Sequence, residues 1–167
     1  MSDPTPTPIG ELKRKYHLFY VDASMGSGTP NWFLVGRDIE DMSVELNPSV
    51  NSFENILGDT VTRDEGYSPS VGVDTYYANT GDAIYDPLLN IAMNRLTGDD
   101  CKTKYLEVVI DTTTGPYKAW QEDCVLKPQS YGGKNSLNIP YNVHPNGNRA
   151  AGTATIANRV PTFTATA

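Results

Sequence analysis

The clearest hydrophobic pattern lies between residues 82 and 111, where a helical period is followed by a strand period. Apolar residues recur every three or four positions over residues 83–97, with polar residues on the opposite face. We expect Asp86 to cap this helix, Pro87 to fit its first turn and Gly98 to end it. The face expected to pack on a sheet consists of Tyr85, Leu88, Leu89, Ala92 and Leu96.

After the helix the apolar residues alternate with a period of two, which is typical of a β-strand. One face carries Leu106, Val108 and Ile110, which we expect in the core. The opposite face carries Glu107 and Asp111, which we expect to meet solvent because the first face is taken up by the core.

Alternation, a short apolar run at residues 32–35 and the small and β-branched residues of 152–158 predict strands along most of the remaining chain. The predicted strands are residues 16–22, 32–35, 37–46, 71–77, 117–127, 137–143 and 152–158. In the third of these, Met42, Val44 and Leu46 face one way. Asp41 and Glu45 face the other way and are expected to reach solvent.

The segment from residue 47 to residue 70 is long and rich in turn residues, yet it is not purely polar. Its large apolar residues are Phe53, Ile56, Leu57 and Tyr67. A structureless loop of this length is unusual in a compact domain, and these residues need burial somewhere. Either the segment hides a hairpin, with residues 60–64 in one strand, or it packs on a neighbouring subunit.

These patterns predict a mainly β fold, a sandwich or barrel of antiparallel strands with one flanking helix. We expect an extended N-terminal arm over residues 1–15, because its first part alternates prolines with small polar residues. A single domain is expected over residues 16–160, followed by an extended tail over 161–167. A hairpin turn is expected at residues 144–147 (HPNG), and Pro140 indicates an edge or bulged strand before it.

The composition describes a globular but acidic chain. Apolar residues make up 38% and charged residues 20%, and the net charge is −7. Proteins that grip nucleic acid need clustered lysines and arginines, so this balance argues against DNA binding. Solubility alone is an equally good explanation of the acidity.

Cys101 and Cys124 are the two cysteines, too few for a disulfide scaffold. The first ten residues contain no apolar run, so we expect no signal peptide. A chain made and folded in a reducing cytoplasm would keep both as buried or half-buried thiols. No stretch of the sequence is apolar for long enough to span a membrane, so we expect no membrane anchor.

Catalytic and metal-binding patterns are missing from the sequence. His17 and His144 are far apart and match no zinc spacing, and no Gly-x-Ser-x-Gly elbow is present. The acids at residues 38–41 and 99–100 are expected to be solvated charges rather than paired catalytic carboxylates. The acidic loop at residues 59–65 lacks the calcium-loop pattern. We therefore expect no enzyme activity, no cofactor and no bound metal.

The order of several short motifs resembles that of a known family. The motifs are WFLVGRD at 32–38, SVELNP at 43–48, ILG at 56–58, GYSP at 66–69, the strand at 71–77, GD at 81–82 and the helix up to residue 99. Together they resemble the major tail proteins of long-tailed bacteriophages, which build the tail tube. The likeness covers about residues 32–110 and, more loosely, the strands that follow.

The resemblance implies a structural virion protein whose six subunits form a ring, with rings stacked into a tube. The implied partners are further copies of the chain, the tape-measure protein and tail-end proteins, while DNA passes through without specific binding. The implied location is the virion tail, after assembly in the host cytoplasm.

On this basis the apolar residues of the 47–70 segment and the N-terminal arm are predicted to contact neighbouring subunits. Some of four acids are predicted to line the channel: Asp41, Glu45, Glu107 and Asp111. The main alternative is a carbohydrate- or receptor-binding β-sandwich that uses the ten tyrosines and two tryptophans as a stacking face. A small hydrolase would need a pocket with a perturbed acid.

Overall fold

Most of the alternating segments fold into antiparallel strands. The computed structural model describes residues 10–166 and is 46% strand and 11% helical, which confirms the mainly β prediction. The strands are β1 His17–Asp22, β2 Trp32–Val35, β3 Val44–Glu45, β4 Pro48–Glu54, β5 Thr60–Tyr67, β6 Ser70–Val73, β7 Lys102–Val109, β8 Tyr117–Pro128, β9 Tyr141–Pro145, β10 Ala150–Ala157 and β11 Val160–Ala165. The α-helix α1 is Tyr85–Asn94, and short 3-10 turns occupy Arg14–Tyr16 and Gly98–Cys101.

Nine of these strands form one curled sheet in the order β2-β1-β7-β8-β9-β6-β3, with β10 and β11 branching from β8. The long strand β8 pairs with β7 along one edge. Along its other edge it pairs with β10 through residues 117–121 and with β9 through residues 124–128. Strands β9 and β10 therefore lie one after the other beside β8, and β4 and β5 form a separate two-stranded ribbon.

Two hydrophobic clusters cover the two faces of the central strands. The larger cluster packs Leu88 and Ile91 of α1 against residues such as Tyr105 of β7 and Leu126 of β8. The smaller cluster on the other face contains Tyr16, Tyr20, Leu106, Val108, Ile110, Ala119 and Ala154. The predicted burial of Leu106, Val108 and Ile110 is thus confirmed, but the helix lies on the opposite face of the sheet.

The helix is shorter than predicted at both ends. Ile84 occupies the N-cap position and Asp86 lies in the first turn without acting as the cap. At the other end Arg95 adopts a left-handed conformation, φ 51°, and its N–H caps the Ile91 carbonyl, so the helix ends before Gly98. Leu88 is fully buried, whereas the other predicted core residues of this face, Leu89, Ala92 and Leu96, are only partly buried.

The predicted strand over residues 37–46 is largely wrong. Only Val44 and Glu45 pair, with β6. Gly36 has φ 144° and its carbonyl accepts from the N–H of Ile39, so the chain turns directly after β2 instead of continuing as a strand. Met42 is buried, whereas Leu46 lies beyond the last paired residue and is exposed.

The 47–70 segment hides a hairpin, which was one of the two alternatives. Its strands β4 and β5 pair from Pro48–Tyr67 to Glu54–Thr60 and are longer than the predicted strand at 60–64. The predicted strand at 71–77 is paired as a strand only over Ser70–Val73.

Three predictions about the C-terminal part are wrong because they were based on local sequence signals alone. Residues 146–149 do not close a hairpin: they link β9 to β10, which both hydrogen-bond to β8. The predicted tail at 161–167 is strand β11 up to Ala165, paired with β10. Strand β9 lies between β8 and β6 rather than at an edge. Pro140 does not prevent this, because it precedes the first residue of β9 and does not have to donate a hydrogen bond to the ladder.

Cys101 and Cys124 are buried free thiols within the larger cluster, as predicted. Burial raises the pKa of Cys124 well above its ordinary value.

Of the predicted arm at residues 1–15, residues 1–9 lie outside the described part of the chain. Leu12 and Arg14 are exposed.

Candidate functional site

The β4–β5 hairpin projects from the domain as a two-stranded ribbon. Every residue of β4 is exposed, and β5 is exposed except for two half-buried positions. The strands are held by their backbone ladder and by a 3.0 Å hydrogen bond between the hydroxyls of Ser52 and Thr62. A lone ribbon of two strands is only marginally stable in water. Because all of β4 is exposed, the ribbon gains little stability from packing on the domain that carries it.

The tip of the hairpin is organised by Asn55. Its side-chain oxygen accepts hydrogen bonds from the N–H groups of Leu57, at 2.9 Å, and Asp59, at 3.0 Å. Gly58 completes the turn with φ 83°. This Asx turn holds Ile56 and Leu57 outward, where their relative exposures are 102% and 80%.

The four predicted contact residues all belong to this hairpin and are all exposed. Tyr67 lies at its base with 64% exposure, and Phe53 lies near the tip with the Arg63 guanidinium 5.2 Å from its ring centre. Exposed apolar side chains concentrated on one projecting element are typical of a protein–protein contact. Contact with a neighbouring subunit stays a prediction.

A groove of about 640 Å³ opens beside the base of the hairpin. One side is apolar and consists of Met42, Val44, Leu46, Tyr67 and Pro69. The other side is polar and consists of Arg14, His17, Tyr105, Glu107, Glu122 and Arg149. His17 and Glu107 lie on the face of β1 and β7 that carries the larger core cluster. They occupy odd-numbered positions, as do Phe19 of β1 and Tyr105 of β7, which belong to that cluster.

Arg149 holds two buried carboxylates at the floor of this groove. Its Nη2 donates to Glu107 Oε2 at 2.9 Å, and its Nη1 donates to Glu122 Oε1 at 2.9 Å and to Tyr105 Oη at 2.8 Å. Glu107 and Glu122 are 7% and 8% exposed. The N–H of Gly147 donates to the second oxygen of Glu122 at 3.2 Å.

The pKa values of this cluster follow from burial and pairing. Burial and the hydrogen bond to Glu122 raise the pKa of Tyr105 far above its ordinary value. Burial lowers the pKa of Arg149, but its bonds to Glu107 and Glu122 outweigh this and the net shift is upward. Both shifts keep the proton on Tyr105 and on Arg149, which suits hydrogen-bond donors of a structural network rather than groups that transfer protons.

His17 is the histidine of the groove. Burial lowers its pKa below 6.5, and Arg14 adds to this, although Glu107 acts in the opposite direction. The His17 Nε2 atom lies 3.8 Å from Glu107 Oε1, which is too far for a direct hydrogen bond.

The four predicted channel acids occupy three different environments. Asp41 and Glu45 are exposed, as expected. Asp111 is partly exposed and accepts a 2.7 Å bond from the Lys118 ammonium. The expectation that Glu107 faces solvent is wrong, because the second face of β7 is also covered and Arg149 occupies its carboxylate. A channel role for the exposed acids stays a prediction.

Sequence reasoning did not identify Arg149 as a functional residue. The available signal was indirect: Glu107 interrupts the apolar and aromatic run YLEVV at residues 105–109, whereas Glu122 lies in a mixed polar stretch that gave no such signal. A carboxylate in such a position requires a buried donor. Nothing in the sequence indicates that this donor comes from the link after β9.

A second ion network joins two of the short motifs. The Arg37 guanidinium donates to both Asp82 oxygens, at 3.0 and 2.9 Å, and the Tyr76 hydroxyl donates to Asp82 at 3.0 Å. Burial, together with the bond to Asp82, raises the pKa of Tyr76 to about 12. The network ties the turn after β2 to the segment that leads into α1.

Within residues 10–166, no three histidine, cysteine or acidic side chains are grouped in a way that could bind a metal ion. The helices of this same part of the chain are all too short or too polar to cross a membrane.

No protein-family model matches the sequence, and no significant match was found among curated proteins.

Proposed function

We propose that this protein is a structural subunit that assembles into stacked hexameric rings and forms the tail tube of a bacteriophage. The observation that carries the proposal is the β4–β5 hairpin, whose apolar tip is wholly exposed at Ile56. A single domain gains nothing from presenting this tip to water. A neighbouring copy that covers it removes its apolar surface from water, at about 25 cal/mol per Å².

A contact between a projecting hairpin and a different surface of a neighbour is heterologous, and such contacts generate rings or helical filaments. The symmetry of six comes from the resemblance in motif order. Within residues 10–166, β2, β3 and β11 each pair on one side only, so the sheet keeps edges that a neighbour can extend.

The dimensions and the charge are consistent with a channel for DNA. If each of six subunits contributed four strands, a closed wall of about 24 strands, spaced ~4.8 Å apart and tilted ~40°, would be roughly 50 Å across. This leaves room for a duplex after side chains narrow the bore. The net charge of −7 would keep phosphates from adhering to the wall.

Other partners in this function would be the tape-measure protein and the proteins at the tube ends. The site of action would be the virion tail, after assembly in the host cytoplasm. DNA would pass through without specific binding, and no catalytic step is involved.

Deletion of residues 52–57 tests the proposal. Because these residues contribute only to the exposed end of the hairpin, the variant should fold and unfold like the full chain but fail to form rings or tubes in negative-stain images. Circular dichroism and thermal unfolding report folding independently.

The matched control is Met93→Ser with Tyr131→Ser, which removes two exposed apolar side chains outside the hairpin and should leave assembly intact. Normal tubes from the deletion variant would contradict the role of the hairpin. A full-length chain that stays monomeric at high concentration and binds a sugar would favour the carbohydrate-binding alternative instead.

A further inference from the structure

We propose that the groove beside the hairpin base is the docking site for the hairpin tip of a second copy of this chain. The proposal rests on the proposed tube function and adds the surface that receives the hairpin. Each copy of the chain then carries both contact surfaces, the hairpin tip and the groove that receives it.

The hairpin cannot fill the groove of its own chain. Leu46 and Tyr67, at the base of the hairpin, are themselves part of the groove wall. Seven residues of β4 separate this base from the tip, which amounts to roughly 20 Å at ~3.3 Å per residue. The extended ladder keeps Ile56 at that distance, so only another copy can supply the tip.

The apolar parts of the two surfaces match. The tip offers two adjacent aliphatic side chains, Ile56 and Leu57, held outward by Asn55. The groove offers an apolar wall that includes Val44 and the exposed ring of Tyr67. Its volume of about 640 Å³ falls within the ~300–1,000 Å³ of clefts that enclose a ligand.

The charges match as well. The hairpin carries four acids and one arginine, and Glu54 and Asp59 flank the apolar tip. The groove is bounded by Arg14, whose guanidinium donates to the carbonyls of His17 and Met42. Arg14 and Met42 also line an adjoining hollow together with Lys15 and Glu40, so two cations and one acid give this rim a net positive charge that an acidic tip can meet.

The acids inside the groove do not oppose this docking. Glu107 and Glu122 are already hydrogen-bonded to Arg149 at 2.9 Å before a partner arrives. Arg149 brings one positive charge to two carboxylates, so this part of the groove keeps a formal charge of −1, which Arg14 offsets.

A copy that inserts its tip into a neighbour leaves its own groove open for the next copy. The contact therefore propagates in one direction instead of closing as a symmetric dimer. Cross-linking such a contact should therefore produce a ladder of covalent oligomers.

The test uses the full-length double variant Ser43→Cys with Ile56→Cys, oxidised under mild conditions and analysed without reductant. Ser43 is an exposed residue of the groove, and the two native cysteines are buried. We expect a ladder of covalent dimers, trimers and larger species. Each single variant should give no species beyond a dimer, because a ladder requires both thiols on every chain.

A double variant of Ser43→Cys with Asn51→Cys is the matched control, since Asn51 is equally exposed but lies partway along the hairpin. It should cross-link far less. A second variant tests the charges: Glu54→Lys with Asp59→Lys should weaken assembly, and the additional change Lys15→Glu should restore part of it.

Negative-stain imaging of the same samples separates this inference from the proposed function. Tubes without a ladder would overturn the groove as the acceptor and leave the tube function standing. A ladder without rings or tubes would support the docking contact and contradict the tube. A disulfide within one chain, seen as a shifted monomer band, would overturn the inference because it places the tip in its own groove.

Discussion

At the residue scale, Arg149 decides whether two carboxylates can remain buried. It pairs with Glu107 and Glu122, both nearly inaccessible to water, although its own side chain is 42% exposed. Breaking a buried pair from one side leaves an uncompensated charge, which costs more than the pair itself contributes. The cluster therefore stabilises this face of the sheet only while all of its members are present.

We predict that Arg149→Met lowers the free energy of unfolding by about 2–4 kcal/mol, somewhat less than for a fully buried pair because the guanidinium is half open to solvent. Urea titration would measure the loss. Combining it with Glu107→Gln and Glu122→Gln should recover part of the loss.

The matched control for Arg149 is Lys118→Met, which removes the exposed bridge to Asp111 and should cost under about 1 kcal/mol. Equal losses for the two variants would show that burial of the carboxylates is unimportant.

His17 gives the fold a dependence on pH. Burial lowers its pKa below 6.5, so between 6.5 and its folded value the unfolded chain binds more protons than the folded chain. Its contribution is therefore complete above pH 6.5 and is lost as the pH falls toward the folded pKa. The charged groups that act on it are Glu107 on β7, at 3.8 Å, and Arg14, which precedes β1.

We predict that His17→Gln flattens the fall in unfolding free energy between pH 7 and pH 5 relative to the original chain. Urea titrations of both proteins at several pH values measure the difference, in which the carboxylates common to both cancel. His144→Gln is the control, since His144 is exposed. A steeper fall for His17→Gln would mean that Glu107 outweighs burial.

At the element scale, the helix α1 contributes through its buried residues Leu88 and Ile91 more than through its partly buried ones. Leu88 is fully buried, whereas the adjacent Leu89 is only partly buried at the edge of the same cluster. We predict that Leu88→Ala costs about 3–4 kcal/mol and that Leu89→Ala costs under about 2 kcal/mol. Reversible unfolding measures both, and a larger loss for Leu89→Ala would contradict the packing described above.

Elements whose signal is local were predictable from the sequence. Strands β1, β2 and β8 were predicted within one residue of their observed bounds, because each shows an apolar run or an alternation over its own length. Strand β7 was predicted over residues 105–111 and is observed over Lys102–Val109. The hairpin at 47–70 was foreseen as an alternative because its apolar residues had no place in a loop.

Elements that depend on a distant partner were not predictable in the same way. Strand β11 consists mostly of small and β-branched residues, with a weak apolar pattern, and it exists because β10 supplies its ladder. The link at 146–149 has the composition of a hairpin turn, but the open edge of β8 takes up both strands around it. The Arg149 cluster is missed for the same reason, since its members come from three separate segments.

At the scale of the whole molecule, the proposed tube requires exposed acids that can face its lumen. Asp41 and Glu45 belong to this exposed set, whereas Glu107 does not. If the exposed acids line the channel, reversing them changes how the assembled tube treats DNA without changing the fold of the subunit.

We predict that Asp41→Lys with Glu45→Lys makes the tubes bind linear duplex DNA, because a lysine-lined wall exchanges counterions with phosphate. Binding should weaken steeply between about 50 and 200 mM salt, and the original tubes should show none. A covalently closed circle of the same sequence cannot thread the bore and serves as the control. Equal binding of circle and linear duplex would place the two residues on the outer wall, and tight binding by the original tubes would contradict an acidic channel altogether.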